Sequence, residues 1–204
     1  MNKICIIGSG SWALALTKVF VNKNIIIKYR KSINKSKFGN KEIKFTDNFK
    51  NLTESSFFFL AIPSQSIRHN ISELKKKTNI DSPVFIICSK GVEKKTCKLL
   101  SEVVLDIFPT SKLVILSGPN FSSELIANKP SASVLSSESK NVLLEVSELL
   151  SPKKFRIYFN NDIIGTQLGG AIKNVIAIAC GFVKGKNLGE NAKAAIITRG
   201  IHEI

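Results

Sequence analysis

The chain has 204 residues, 44% hydrophobic and 22% charged, so it holds enough apolar material for a packed core and does not read as a disordered polymer. Its formal charge of +15 invites nucleic-acid binding, but only four of the thirty basic residues are arginine, the lysines are dispersed in runs no longer than Lys75-Lys76-Lys77, and no clear aromatic-basic interleaving emerges; no nucleic-acid partner is expected. Apolar runs such as Phe57 to Ile62 fall short of the roughly 20 residues of a membrane span, and the N-terminus lacks a secretory leader's long apolar core. Cys5, Cys88, Cys97 and Cys180 are too scattered for a metal site, so the sequence predicts a cytoplasmic, metal-free protein with buried thiols at Cys5, Cys88 and Cys180.

In chain order, residues 3–7 form a short apolar run of the kind buried on both faces in a parallel sheet. Glycines follow, and from Trp12 to Val21 apolar residues recur at helical spacing until Asn22-Lys23-Asn24 breaks the pattern. Ile25-Ile26-Ile27 restarts as a strand, which completes a βαβ unit. The alternation continues with a strand over 56–62, a helix within 64–77, a strand over 84–88, a helix over 96–108, strands over 113–116 and 132–135, a helix over 140–150 before Pro152, and a strand over 155–159. Beyond Asn160-Asn161 one long apolar segment, 162–183, has helical spacing and reads as a buried helix. The expected fold is therefore α/β, a Rossmann-type, mostly parallel sheet with helices on both faces over 1–159, followed by the start of an all-helical domain over 160–204.

Gly8-Ser9-Gly10-Ser11-Trp12-Ala13 fits G-x-G-x-x-G/A between a strand and a helix. Gly8 permits a tight turn, Gly10 lets backbone approach a pyrophosphate, small Ala13 lets helix and strand pack closely, and the free N–H groups near Ser11 and Trp12 attract phosphate. At the end of the second strand, where an NAD site usually carries Asp or Glu, the chain reads Lys28-Tyr29-Arg30-Lys31. That favours NADP, with NAD the alternative; Arg30 is the candidate phosphate ligand because guanidinium grips phosphate with two prongs, while Lys28 and Lys31 read as ordinary surface residues. His69 and His202 have no evident partners.

Together with the glycine turn, four more segments in register resemble the bacterial NAD(P)-dependent glycerol-3-phosphate dehydrogenase family: Ser89-Lys90-Gly91, Ser117-Gly118-Pro119-Asn120-Phe121 with Glu124, the run Gly169-Gly170-Ala171-Ile172-Lys173-Asn174-Val175-Ile176-Ala177-Ile178-Ala179, and the stretch from Gly189-Glu190-Asn191 to Thr198-Arg199-Gly200. The resemblance implies interconversion of sn-glycerol 3-phosphate and dihydroxyacetone phosphate with NAD(P), feeding glycerophospholipid synthesis, and leaves open whether the assembly is a homodimer. It makes Lys173 the acid/base group, brings Lys90 to both substrate and cofactor, sets substrate against Gly118, Asn120 and Asn174, and sets cofactor against Ser122. An ammonium at the reacting oxygen can both stabilise growing charge and donate the proton. Burial and a neighbouring ammonium are expected to depress the pKa of such a lysine.

The sequence departs mildly from the family at Ala13-Leu14-Ala15-Leu16, where Gly-Thr-Ala-Leu is usual, and at Ser122, often Ala. The family's later helices carry an Asp and a Ser-Arg-Asn motif, and nothing here matches them, so the chain reads as C-terminally truncated and is expected to bind dinucleotide while catalysing poorly by itself. Two alternatives stay open: a dinucleotide-binding fragment without catalysis, and a reductase of another small keto acid.

Overall fold

A computed structural model describes residues 4–21, 24–30, 32–39, 43–150 and 154–203. Lys3, Asn22, Lys23, Lys31, Pro152 and Ile204 lie outside the described residues.

An eight-stranded sheet has the order β3-β2-β1-β4-β5-β6-β7-β8, built from β1 (Ile4–Ile7), β2 (Ile25–Lys28), β3 (Ile43–Thr46), β4 (Phe57–Leu60), β5 (Val84–Ile87), β6 (Lys112–Ser117), β7 (Ser131–Ser136) and β8 (Phe155–Asn160). All neighbours pair in parallel except β6 with β7, where the direction inverts; β8 then runs parallel to β7. The central strands are apolar at every position because helices cover both faces. Ile4, Ile6, Phe57 and Phe59 point into one core, while Cys5, Ile7, Phe58 and Leu60 point into the other.

The first core packs against α1 (Ser11–Val19) and α5 (Lys140–Leu149), the second against α2 (Ile67–Lys77) and α3 (Leu100–Leu105). Each helix follows its apolar spacing: Ile67, Ile71 and Leu74 bury one stripe of α2, and Val142, Leu143, Val146 and Leu149 one stripe of α5. A five-residue α4 (Ser122–Ile126) lies against α1. The chain ends in α6 (Ile163–Gly185) and α7 (Glu190–His202), which pack on each other, with Gly200 close against Ile176.

Three expectations need correction, and one strand was not anticipated. The helix expected over 96–108 is confined to 100–105, because the Thr96 hydroxyl donates to the Glu93 carboxylate and the Cys97 N–H bonds the Glu93 carbonyl, holding the preceding residues in a turn with Cys97 at φ 58°. The edge strand β3 escapes periodicity since only four residues contribute and Lys44 faces solvent. Cys180 is only partly covered, whereas Cys5 and Cys88 are buried as expected. The long apolar helix is not a buried one: within α6 only Gln167, Gly170 and Val183 are buried, and Val175, Ile178 and Phe182 are exposed. By length and composition α6 also satisfies the criteria for a bilayer span, yet its first half packs on β6 and β7.

Candidate active site

The carboxyl ends of β1, β2, β4, β5 and β6 converge on one edge of the sheet, where open α/β sheets bind ligands. After β1 the chain turns at Gly8 with φ 124°, and a Cβ there would strike the Ala61 carbonyl, so only glycine fits. The Gly8 N–H donates to the Lys28 carbonyl at 2.9 Å and the Ala61 N–H to that of Ile7 at 2.9 Å, tying the turn to the strands on either side. Gly10 is the N-cap of α1, with no side-chain cap and open space in front of it, which leaves the first N–H groups of α1 available to an anion. Ala13 is fully buried in the core beneath α1; its part is helix packing, away from the cleft wall.

Around this turn lie two adjoining cavities that share Gly10, Ala61, Ile62 and Pro63. The smaller, about 230 Å³, is lined by Gly8, Lys28, Tyr29, Arg30, Ser66 and Asn70; the larger, about 500 Å³, by Ser11, Trp12, Lys90, Gly118, Asn120 and Ser122. Two lobes joined at a glycine turn suit a dinucleotide whose pyrophosphate crosses the junction. Arg30 stands exposed at the smaller lobe. Lys28 departs from the surface reading: it is 7% exposed, because its side chain continues the line of Ile26 into the space beside Phe49. In the larger lobe Trp12 approaches Cys88; burial pushes the Cys88 thiol up to about 12, and the contact with the Trp12 indole acts in the opposite direction.

Lys90 follows β5 in a loop held from behind by Ser89, whose hydroxyl donates to the carbonyls of Leu60, at 3.1 Å, and Ile62. Gly91 takes φ 115°, and the Lys90 Nζ donates to the Gly118 carbonyl at 2.9 Å. Gly118 is itself required small, since a Cβ would lie 2.8 Å from the Ala132 carbonyl oxygen. Asn120 donates to the Ser133 hydroxyl, leaving its own Oδ1 buried without a partner among the described residues, an acceptor that a ligand hydroxyl could satisfy.

Helix α6 crosses this loop at Gly170, where the methyl group of an alanine would sit 3.1 Å from the Ser117 hydroxyl and 3.6 Å from Lys90 Cγ. One turn later the Lys173 ammonium comes against Lys90. Burial first, and then the Lys173 charge, hold the Lys90 ammonium below the ordinary lysine range. Lys173 itself faces a further cavity of about 340 Å³ that shares Ser117 and Gly118 with the larger lobe. Asn174 is exposed on α6 and lines none of these three cavities. Sequence reasoning gave Ser89 no part of its own and missed Ala61 and Pro63; Ser89 holds the loop through its hydroxyl, and Ala61 and Pro63 line both lobes, parts that residue type does not announce.

Comparisons with known proteins agree with this architecture. The family model described as NAD-dependent glycerol-3-phosphate dehydrogenase N-terminus matches residues 3–143, and its C-terminal counterpart matches residues 162–204. Glycerol-3-phosphate dehydrogenase [NAD(P)+] of Zymomonas mobilis is 36% identical over 98% of this chain and 62% of its own length; that of Clostridium botulinum is 37% identical over 100% and 66%. The crystal structure of glycerol-3-phosphate dehydrogenase from Coxiella burnetii superposes with a TM-score of 0.89 at 30% identity, covering 99% of this chain and 67% of that one. The chain therefore spans somewhat less than two thirds of the length of these two curated relatives. With both family models matched in order and the glycine turn and lysine pair standing on one cleft, the chain belongs to the NAD-dependent glycerol-3-phosphate dehydrogenase family.

Proposed function

We propose that the protein interconverts dihydroxyacetone phosphate and sn-glycerol 3-phosphate with NADP or NAD in the cytoplasm, supplying the glycerol backbone of phospholipids. Residues 1–159 bind the dinucleotide, and 160–204 begin the helical part that brings Lys173 to the substrate. One observation carries the reading: two ammonium groups, Lys90 and Lys173, converge beside Gly118 at the mouth of a two-lobed cleft. Two adjacent cations in a loop of backbone carbonyls have a cost that binding an anionic or electron-rich oxygen relieves.

The turn of Gly8 and Gly10 and the N-terminus of α1 at Ser11 and Trp12 would hold the dinucleotide's phosphates, with Arg30 toward its adenosine part and Ser122 toward the other. When bound, a reduced nicotinamide would supply the hydride that the substrate's carbonyl carbon takes up. As the carbonyl π electrons move to oxygen, Lys173 donates a proton to it, and in the reverse direction takes the hydroxyl proton back. Lys90, anchored on the Gly118 carbonyl, stabilises the charge that builds on that oxygen and touches both partners. Gly118, Asn120 and Asn174 position the substrate, the buried Asn120 Oδ1 accepting from a substrate hydroxyl.

Replacing Lys173 by Ala in the enzyme tests this. Turnover should fall by roughly a thousandfold or more, the scale of a lost acid/base and electrostatic group, with dinucleotide affinity kept. Turnover within tenfold of the parent would remove Lys173 from the chemistry.

A further inference from the structure

Resting on the acid/base reading of Lys173 above, we infer that Gln167 is the positioning residue for that lysine: it pins α6 to the N-terminus of α3 and so fixes the height and bearing at which Lys173 meets Lys90 and the substrate.

The need for a pin follows from what α6 lacks. Between Ile163 at the border of the second core and Val183 near the far end, only Gln167 and Gly170 are buried, and Ile164, Val175, Ile178 and Phe182 are exposed. Apolar contact is non-directional and tolerates sliding and rolling, whereas hydrogen bonds hold both distance and angle. Gln167 supplies such bonds. The residue is 6% exposed; its Oε1 accepts the Ser101 N–H at 3.0 Å, and its Nε2 donates to the Ser101 hydroxyl at 2.9 Å and to the Ile163 carbonyl at 3.1 Å. The neighbouring Thr166 also meets Ser136, at 2.6 Å, but two hydroxyls can exchange donor and acceptor, so that contact steadies the helix without setting its bearing.

The attachment is reciprocal. Leu99, the N-cap of α3, has no side-chain oxygen to offer, and Ser101 is the second residue of that helix, so its N–H has no partner within it. Ser101 is buried, and the Gln167 Oε1 is the acceptor that completes α3. A shift of α6 by one residue, about 1.5 Å and 100°, would strand the amide and this N–H together. One arrangement satisfies both helices.

From this fixed point the way to the cleft is short. Three residues on, a Cβ at Gly170 would lie 3.1 Å from the Ser117 Oγ and 3.6 Å from Lys90 Cγ, so the helix there rides against the loop that holds the substrate lysine. Lys173 follows after three more, about 9 Å along the axis from Gln167. After burial, its charge is what holds the Lys90 ammonium below the ordinary lysine range, while the Lys90 Nζ stays bonded to the Gly118 carbonyl. The titration of Lys90 therefore reports where α6 sits.

The test compares Gln167→Met, which keeps length and volume but none of the bonds, with Gln167→Glu, which keeps an oxygen for the Ser101 N–H. In the enzyme, Gln167→Met should lower kcat for reduction of dihydroxyacetone phosphate at least tenfold while KM and NADPH affinity stay within about threefold, and Gln167→Glu should recover most of the loss. The second readout is the pH profile of Lys90 acylation by an activated ester, mapped by peptide mass spectrometry, which needs no turnover and decides alone should the parent reduce no substrate. Its midpoint should rise toward the ordinary lysine value in Gln167→Met, as Lys173 draws away, and hold in Gln167→Glu. A parent value of either kcat or the midpoint in Gln167→Met overturns the inference whatever its melting temperature, as do equal effects of the two substitutions; Lys173 keeps its role in both cases. Parent-like turnover in Lys173→Ala would instead overturn the acid/base reading, and this inference with it. Should Gln167→Met not fold, Ser101→Ala removes one of the two bonds between the helices: it should shift kcat and the Lys90 midpoint in the same directions, and parent values of both reject the pin.

Discussion

Lys90 is useful to the cleft at the expense of the fold. Half-buried and beside a second ammonium, it releases its proton more readily in the folded state than the ordinary 10.5 of an unfolded lysine. Between its folded pKa and that value the unfolded chain binds more protons, so this residue's contribution to stability rises as pH climbs through the window, and below it Lys90 is a net burden. Lys90→Met should therefore melt a few degrees higher at neutral pH, at roughly 2–4 °C per kcal/mol for a chain of this size, while turnover collapses; calorimetry and an activity assay check the two halves. A lower melting temperature would show that the bond to Gly118 outweighs the repulsion. At this scale the sequence was informative where residue type is dictated by backbone: Gly8, Gly10 and Gly118 were legible as glycines, and Lys90 as the residue following a buried strand. Lys28 was not. A strand covered on both faces shows no polar side, so nothing in Ile25-Ile26-Ile27-Lys28 tells whether its last side chain turns to solvent or runs under a helix.

Among the elements, the loop after β5 is fixed by an ion-paired knot. Arg68 of α2 grips Glu93 at 2.8 Å and Asp106 at 3.0 Å, Lys98 reaches Asp106 at 2.8 Å, and Thr96 donates to Glu93 at 2.6 Å. The Arg68 guanidinium foremost, with the Thr96 hydroxyl, holds the Glu93 carboxyl below the usual glutamate range. A carboxyl so depressed stabilises the fold above its unfolded pKa and loses that contribution as pH falls through the folded one. Glu93→Gln should thus flatten the acid limb of stability below about pH 4.5, in the same sense as the depressed carboxyl, and loosen the 92–99 loop; acid titration followed by circular dichroism reads it. An unchanged acid limb would mean the knot is solvated and worth little, as exposed pairs commonly are. This knot also accounts for the shortened α3. Periodicity alone extended the helix back to Thr96, since it cannot register that the Thr96 and Cys97 polar groups are engaged with Glu93.

For the molecule as a whole, the sheet and its two cores were readable from alternating apolar runs and turns, and the order of elements from 3 to 160 came through nearly intact. Burial of the last segment did not. An apolar helical period states which face avoids water and says nothing of whether a neighbour covers it; in this chain Val175, Ile178 and Phe182 on α6, with Ile201 on α7, are open. The described chain should accordingly bind a hydrophobic dye strongly and associate with rising concentration, and the double change Ile178→Glu with Phe182→Glu should reduce both without moving the melting temperature by more than a degree or two. Sedimentation velocity across a concentration series is the measurement, and a monomer indifferent to these substitutions would contradict it.

The inversion between β6 and β7 has a further outcome. Because β7 and β8 run against the first six strands, the chain leaves β8 near the floor of the sheet, where Ile163 and Leu113 border the same cavity, and α6 must climb to the opposite rim. It docks on the way through Gln167 to Ser101 and Thr166 to Ser136, then passes Ser117 at Gly170 and delivers Lys173. The helix works as a ruler whose zero mark is set by Asp162, the cap that receives the Gly165 N–H. One alanine inserted between Gln167 and Gly169 would swing every later residue by about 100° and lift it about 1.5 Å, turning Lys173 off its mark. Such an insertion should silence turnover while dinucleotide binding persists, and a full seven-residue insertion would restore the bearing but overshoot the height by about 10 Å.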